Sequence, residues 1–123
     1  MSDERETGSR LDPKFDADGL ITAVASHVDT GEVLMLAHMN REALDATIKT
    51  DRAHFWSRNR RKLWRKGEES GNELHVVDMR IDCDQDAVWL LVRPMGPACH
   101  TGARSCFYRR VTAKGLERID GQS

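Results

Sequence analysis

Leu20-Ile21-Thr22-Ala23-Val24-Ala25-Ser26-His27-Val28, then Asp29-Thr30-Gly31, then Glu32-Val33-Leu34-Met35-Leu36-Ala37-His38-Met39, is the stretch whose reading decides the fold. Both flanking runs are apolar and β-prone, and the three residues between them are of the kind that closes a hairpin. Moving outward, Asn40 can cap a helix that continues to about Thr50, with Glu42 in its first turn and an apolar stripe at Leu44 and Ile48. Ala53–Ser57, Leu74–Ile81, Ala87–Arg93 and Cys106–Thr112 are candidates for further strands. Strands outnumber helices and several neighbours are antiparallel. The predicted class is therefore α+β, a curled, largely antiparallel or mixed sheet with one main helix, rather than a doubly wound parallel sheet. Neither G-x-G-x-x-G nor a P-loop occurs. Residues 1–12 and 115–123 lack an apolar period and are expected to be loose tails around a single domain of residues 13–114.

A chain of 123 residues fits one domain, large enough for a core yet small enough to gain from association, so a dimer is expected. With 39% hydrophobic and 32% charged residues it has the balance of a globular protein, and no apolar run approaches the ~20 residues needed to span a bilayer. The polar, acidic start Met1-Ser2-Asp3-Glu4-Arg5-Glu6 resembles neither a signal peptide nor a transit peptide, which points to the cytoplasm. Thiols stay reduced there, so an odd number of cysteines needs no disulfide partner.

The chemistry is concentrated in two segments, Asp82-Cys83-Asp84-Gln85-Asp86 and Gly96-Pro97-Ala98-Cys99-His100-Thr101-Gly102-Ala103-Arg104-Ser105-Cys106-Phe107. If residues 82–86 are extended, Asp82, Asp84 and Asp86 project to one side while Cys83 and Gln85 project to the other. Three adjacent carboxylates call for a counter-charge, which a hard cation such as Mg²⁺ supplies through oxygen ligation. A calcium loop starting at Asp82 would need Gly and Glu where the chain has Ala87 and Arg93. A solvated acidic turn is the alternative.

The cysteine spacing, C-x15-C-x6-C, matches neither a zinc ribbon nor a zinc deaminase. Buried thiols acting as small hydrophobes are one reading. The Pro/Gly-rich setting of Cys99 and the Arg104-Ser105 before Cys106 favour another, in which three thiolates leave zinc one open position, as catalytic sites do.

These two segments, Asp-Cys-Asp-x-Asp and Gly-Pro-x-Cys-His-x-Gly-x-x-Ser-Cys-Phe, resemble the phosphoribosyl-AMP cyclohydrolase family of histidine biosynthesis. A third stretch agrees: Phe55-Trp56-Ser57-Arg58, Leu63-Trp64-Arg65-Lys66-Gly67-Glu68 and Ser70-Gly71-Asn72, with Glu69 where the family pattern has threonine. The resemblance runs from about Leu20 to about Arg109. It implies zinc on Cys83, Cys99 and Cys106, magnesium on Asp82, Asp84 and Asp86, and an intertwined homodimer in which Cys83 comes from the other subunit than Cys99 and Cys106. The implied reaction is hydrolysis of the N1–C6 bond in the adenine ring of 1-(5-phosphoribosyl)-AMP, by water that zinc makes acidic. His100, an imidazole beside a zinc ligand, is the candidate general base; fixing the loop is its alternative role. The pyrophosphatase step that precedes this reaction is expected of another chain.

Net charge is only −1, yet Arg58, Arg60, Arg61, Lys62, Arg65 and Lys66 gather in one loop. Arg58, Lys66, Gly67, Ser70, Gly71 and Asn72 are candidates to bind a substrate with two phosphates, through cationic side chains and exposed backbone N–H groups. An ordinary solvated basic loop is the alternative, and Trp56 and Trp64 fit either base stacking or packing. Trp89, in an apolar strand, is expected in the core. His27, His38, His54 and His75 lie in or beside strands and are expected to be structural. Two rivals remain, a nucleic-acid-binding module built on residues 58–66 and a non-catalytic structural zinc protein. The first leaves the aspartates and cysteines unexplained, and a near-neutral chain lacks its usual basic balance.

Overall fold

The structure, a computed structural model, describes residues 4–120. Its centre is a four-stranded mixed sheet in the order Val33–Met39, Ile21–His27, Ala87–Pro94, Leu74–Ile81. The hairpin forms as read: β1 (Ile21–His27) and β2 (Val33–Met39) pair antiparallel, with a register shift at Ala25/Ser26. β1 also pairs in parallel with β6 (Ala87–Pro94), which pairs antiparallel with β5 (Leu74–Ile81). A separate hairpin joins β3 (His54–Ser57) to β4 (Lys62–Arg65), and a third joins β7 (Arg109–Thr112) to β8 (Gly115–Arg118).

Between the first and second hairpins runs α2 (Arg41–Thr50), which follows a single turn, α1 (Glu4–Thr7), near the start of the chain. The Asn40 side chain accepts a hydrogen bond from Ala43 N at 2.8 Å, a cap worth ~1 kcal/mol. At the other end Asp51 turns left-handed, and its N–H is satisfied by Thr47 O. Ala43, Leu44 and Thr47 form the buried face of α2, whereas Ile48 is 46% exposed. The stripe expected at positions 44 and 48 is thus replaced by one at 43, 44 and 47. Thr47 is accommodated because its hydroxyl bonds Ala43 O and accepts from His54 N.

One sheet face, carrying Ile21, Ala23, Ala25, Val88, Leu90 and Val92, packs with Leu44, Ala53, Phe55 and Leu74 into the core. Alternation along β6 sends Trp89 to the opposite face, where it is 40% exposed, which corrects its expected place in the core. Trp89 pairs across the sheet with Val24, which pairs with Leu36, itself 47% exposed. This row leaves an apolar surface on the second face. Trp89 Nε1 donates to Ser26 Oγ at 2.9 Å, and the Arg80 guanidinium lies 5.4 Å from the indole.

Two segments without apolar periods have defined local structure. Residues 115–118 pair with β7, and residues 5–14 are hydrogen-bonded to Gln85. The rest of the predicted tails, residues 1–3 and 121–123, lies outside the described residues.

Candidate active site

The acidic segment is a tight turn, not an extended strand end. Gln85 N donates to Asp82 O at 3.0 Å, and Gln85 takes a left-handed backbone with φ 58°. The expected alternation therefore does not apply: Cys83 is exposed while Gln85 is 4% exposed. The turn nevertheless brings carboxylate oxygens of Asp82, Asp84 and Asp86 within 4.8 Å of one another. Asp82 Oδ1 is occupied by the N–H groups of Asp86 and Ala87, at 2.9 and 3.1 Å. Among the described residues no other group of three acidic, histidine or cysteine side chains comes this close.

Crowding shows in the acidities. Hydrogen bonding with Asp82 and then Asp84, followed by desolvation and the charges of both neighbours, pushes Asp86 up to about 6. Desolvation opposes ionisation of Asp82, but hydrogen bonds from Asp86 and from the Ala87 and Asp86 N–H groups hold it below the ordinary range. The oxygen-rich, mutually repelling set fits a hard divalent cation. In metal-free protein, one carboxyl of this turn is expected to titrate near pH 6, visible in the ¹³C shift of Asp86; titration of all three in the ordinary Asp range would contradict it. Because the folded pKa exceeds the ordinary aspartate value of about 3.8, the metal-free fold should gain stability from this group as pH falls from about 6 through 3.8, and lose it as pH rises through 6.

Cys99 and Cys106 lie together at the other end of the sheet. Cys106 N donates to Leu34 O at 2.7 Å, Ser105 Oγ donates to Val33 O, and Arg104 pairs with Glu32. These contacts seat the cysteine loop on the start of β2. Loop closure comes from Cys99 N to Ala103 O and Gly102 N to Cys99 O. Burial resists ionisation of Cys99, but hydrogen bonds from the side chain and backbone of Thr101, an interaction with Cys106 and the charge of Lys66 bring its pKa below the ordinary thiol value. Thr101 Oγ1 donates to Cys99 Sγ at 3.0 Å. Desolvation, then the Cys99 charge and hydrogen bond, push Cys106 up to about 11. Although Cys106 is exposed as a residue, its thiol is close enough to Cys99 for each to shift the other's acidity.

Cys83 is separate from that pair. It sits in the turn preceding β6, beyond the row where Ala87 pairs with Thr22 at the start of β1, while Cys106 is bonded beside Met35, which pairs with Ala25. Three residues of strand alone span ~10 Å. Two thiols in one chain are therefore placed for a soft metal such as zinc, and the third is at the far end of the sheet. His100 is exposed next to Cys99.

The candidate phosphate-binding residues are divided. Lys66, Gly67 and Ser70 line a groove of about 190 Å³ with Arg60, Trp64 and Arg65, whereas Arg58 lines another of about 390 Å³ with Asp18, Leu20, Asn40, Trp56 and Arg61. Lys66 is only 9% exposed, and its charge favours ionisation of both Cys99 and Cys106. Gly67 (φ 86°) has the backbone of Glu73 against it, where a Cβ would lie 2.5 Å from Glu73 N; Asn72 packs on Gly96. Gly71 also has positive φ. Trp64 packs on Phe55 with ring centroids 5.4 Å apart.

Local partners occupy His54 and His75: the former bonds Arg52 O, the latter Glu73, which also pairs with Arg65 and Arg52. The role of Thr101 escaped the sequence reading, although a hydroxyl two residues after Cys99 was its signal. Lys66's approach to the thiols had no signal, because it depends on β4 meeting the cysteine loop.

The family model for phosphoribosyl-AMP cyclohydrolase matches residues 35–108. The chain belongs to the phosphoribosyl-AMP cyclohydrolase family. It is similar to the phosphoribosyl-AMP cyclohydrolases of Rhizorhabdus wittichii, 62% identical over 94% of this chain and 93% of the relative, and of Sphingopyxis alaskensis, 61% identical over 94% and 91%. The Bradyrhizobium diazoefficiens enzyme is 60% identical over 92% and 81%. Among the described residues no helix is long and apolar enough to cross a membrane.

Proposed function

We propose that this chain hydrolyses the N1–C6 bond of the adenine ring in 1-(5-phosphoribosyl)-AMP, giving the ring-opened formimino product of histidine biosynthesis, in a homodimer with two shared sites. The observation that carries the activity is identity of about three residues in five, over nearly the whole chain, to cyclohydrolases. Cys99 and Cys106 of one copy, with Cys83 of the other, would hold zinc. Bound there, zinc would supply Lewis acidity that makes water nucleophilic near neutral pH. Asp82, Asp84 and Asp86 would hold magnesium through oxygen atoms.

Support for the dimer is topological. One chain separates its thiols along the sheet, and the apolar row of Leu36, Val24 and Trp89 lies on its uncovered face. A two-fold pairing of copies covers such a face and returns two equivalent sites.

Within the site, Thr101 and Lys66 favour the thiolate form of Cys99, and Lys66 offsets the negative charge that thiolates accumulate. The basic loop from Arg58 to Asn72 orients the substrate by its phosphates. Substitution at N1 makes C6 electrophilic; His100 takes one proton of the attacking water and returns it to N1 as the N1–C6 bond breaks, and the water's second proton passes to the exocyclic imine nitrogen, leaving C6 as the carboxamide. Incubating metal-replete protein with 1-(5-phosphoribosyl)-AMP should yield the formimino product. Absence of product from fully loaded dimer would overturn the reading.

A further inference from the structure

Gln85 stands in the middle of the acidic turn, yet its side chain is buried and takes no part in the carboxylate cluster. Its amide is fully used by the N-terminal segment. Oε1 accepts from Asp12 N at 2.7 Å, while Nε2 donates to Arg5 O at 2.8 Å and Arg10 O at 3.2 Å. The Gln85 carbonyl also accepts from Lys14 N at 2.7 Å. Only a side chain with one acceptor and two donors at this reach satisfies all three backbone groups; glutamate has no donor in its ionised form and leucine has neither.

Within that segment Pro13 is buried and Arg5 donates to Asp12 O at 3.1 Å, while the Gln85 amide joins Arg5, Arg10 and Asp12 to the acidic turn. A single helical turn is not self-supporting, and the Arg5–Asp12 pair at 3.2 Å is substantially exposed. Arg5, Arg10 and Leu11 nevertheless line a cavity of about 290 Å³ together with Asp82, Cys83 and Gln85. Residues 5–11 are therefore one wall of a space whose other wall carries a candidate ligand of each metal.

We propose that Gln85 is a positioning residue for the cyclohydrolase reaction: by clamping residues 5–14 to the acidic turn, it fixes the direction of the Asp82, Asp84 and Asp86 carboxylates and makes the N-terminal segment part of the active site. This rests on the reading of those aspartates as the magnesium site. The role belongs to an outer partner that orients ligands without touching the metal.

The test uses the full-length, zinc-replete dimer. Gln85→Gly removes the amide while suiting φ 58°, so the turn keeps its path. Asp12→Pro removes the N–H that Gln85 accepts without altering the turn, and Asp12→Ala keeps that N–H while removing the ion pair. Mn²⁺ binding, followed by electron paramagnetic resonance as a stand-in for Mg²⁺, is measured beside kcat, KM and zinc content. Gln85→Gly and Asp12→Pro should each weaken Mn²⁺ binding and lower kcat by about 10–100-fold, the usual cost of losing an outer-shell partner, with KM and zinc content little changed. Asp12→Ala should resemble the wild type. Wild-type Mn²⁺ affinity and kcat in Gln85→Gly overturn the proposal, as does impairment of Gln85→Gly with a normal Asp12→Pro, which would place the effect in the turn alone. If the wild-type protein binds no Mn²⁺ that Asp84→Ala abolishes, the magnesium reading falls and this proposal with it.

Discussion

Cys83→Ala, Cys99→Ala and Cys106→Ala are each expected to purify without stoichiometric zinc and to lose more turnover than the ~10–100-fold that an outer-shell change costs a metal site. The reason is the geography of the thiols. Cys99 and Cys106 face one another on the start of β2, and Cys83 sits beyond the opposite end of the β1–β6 ladder. Two thiolates leave zinc short of the three protein ligands that catalytic sites provide. Each variant should therefore lose the same metal despite the distance between the mutated positions within a chain. Solution mass should follow, because a metal held by both copies adds its binding energy to their association. Retention of full zinc by all three variants would contradict the assignment.

His100→Ala is expected to keep zinc and dimer while kcat falls by ~10²–10⁴-fold, the range that a positioned general base contributes. His100 is exposed, follows a candidate zinc ligand and precedes Thr101, whose hydroxyl bonds the Cys99 sulfur. Thiolate ligands donate so much charge that water on such a zinc is less acidic than on one held by neutral imidazoles, which makes an adjacent base more valuable. Histidine that merely fixed the loop would instead show its loss in zinc content and thermal stability; wild-type turnover in zinc-loaded His100→Ala eliminates the base.

The hairpin over residues 20–39 and the helix capped by Asn40 were legible because alternation, turn chemistry and capping are local. β4 was not, since Lys62-Leu63-Trp64-Arg65 puts charge at both ends of a four-residue strand and hides its period. Trp89 misled for a related reason: an apolar run reads as buried on both faces, and only the sheet's one-sided packing shows that Val88 and Leu90 take the core. Composition singled out the aspartates and cysteines as candidate metal ligands, but the convergence of the aspartates comes from a tight turn, not from strand alternation. The separation of Cys83 from its partners depends on β1 pairing in parallel with β6, a long-range choice that no local pattern encodes. Gln85 was hidden for the same reason, its contacts being 73 to 80 residues away in the chain.

A site built from two copies is tested most directly by mixing subunits. Cys83→Ala and Cys99→Ala proteins, each inactive alone, are unfolded, combined, refolded with zinc and assayed with 1-(5-phosphoribosyl)-AMP. In a mixed dimer one site draws Cys83 from the Cys99→Ala copy and Cys99 and Cys106 from the Cys83→Ala copy, so one of two sites is intact. The account predicts recovered activity approaching a quarter of the wild-type value, since about half the dimers are mixed at random pairing and each carries one working site. Refolded mixtures that stay as inactive as either parent, while wild-type protein treated identically recovers, would contradict it.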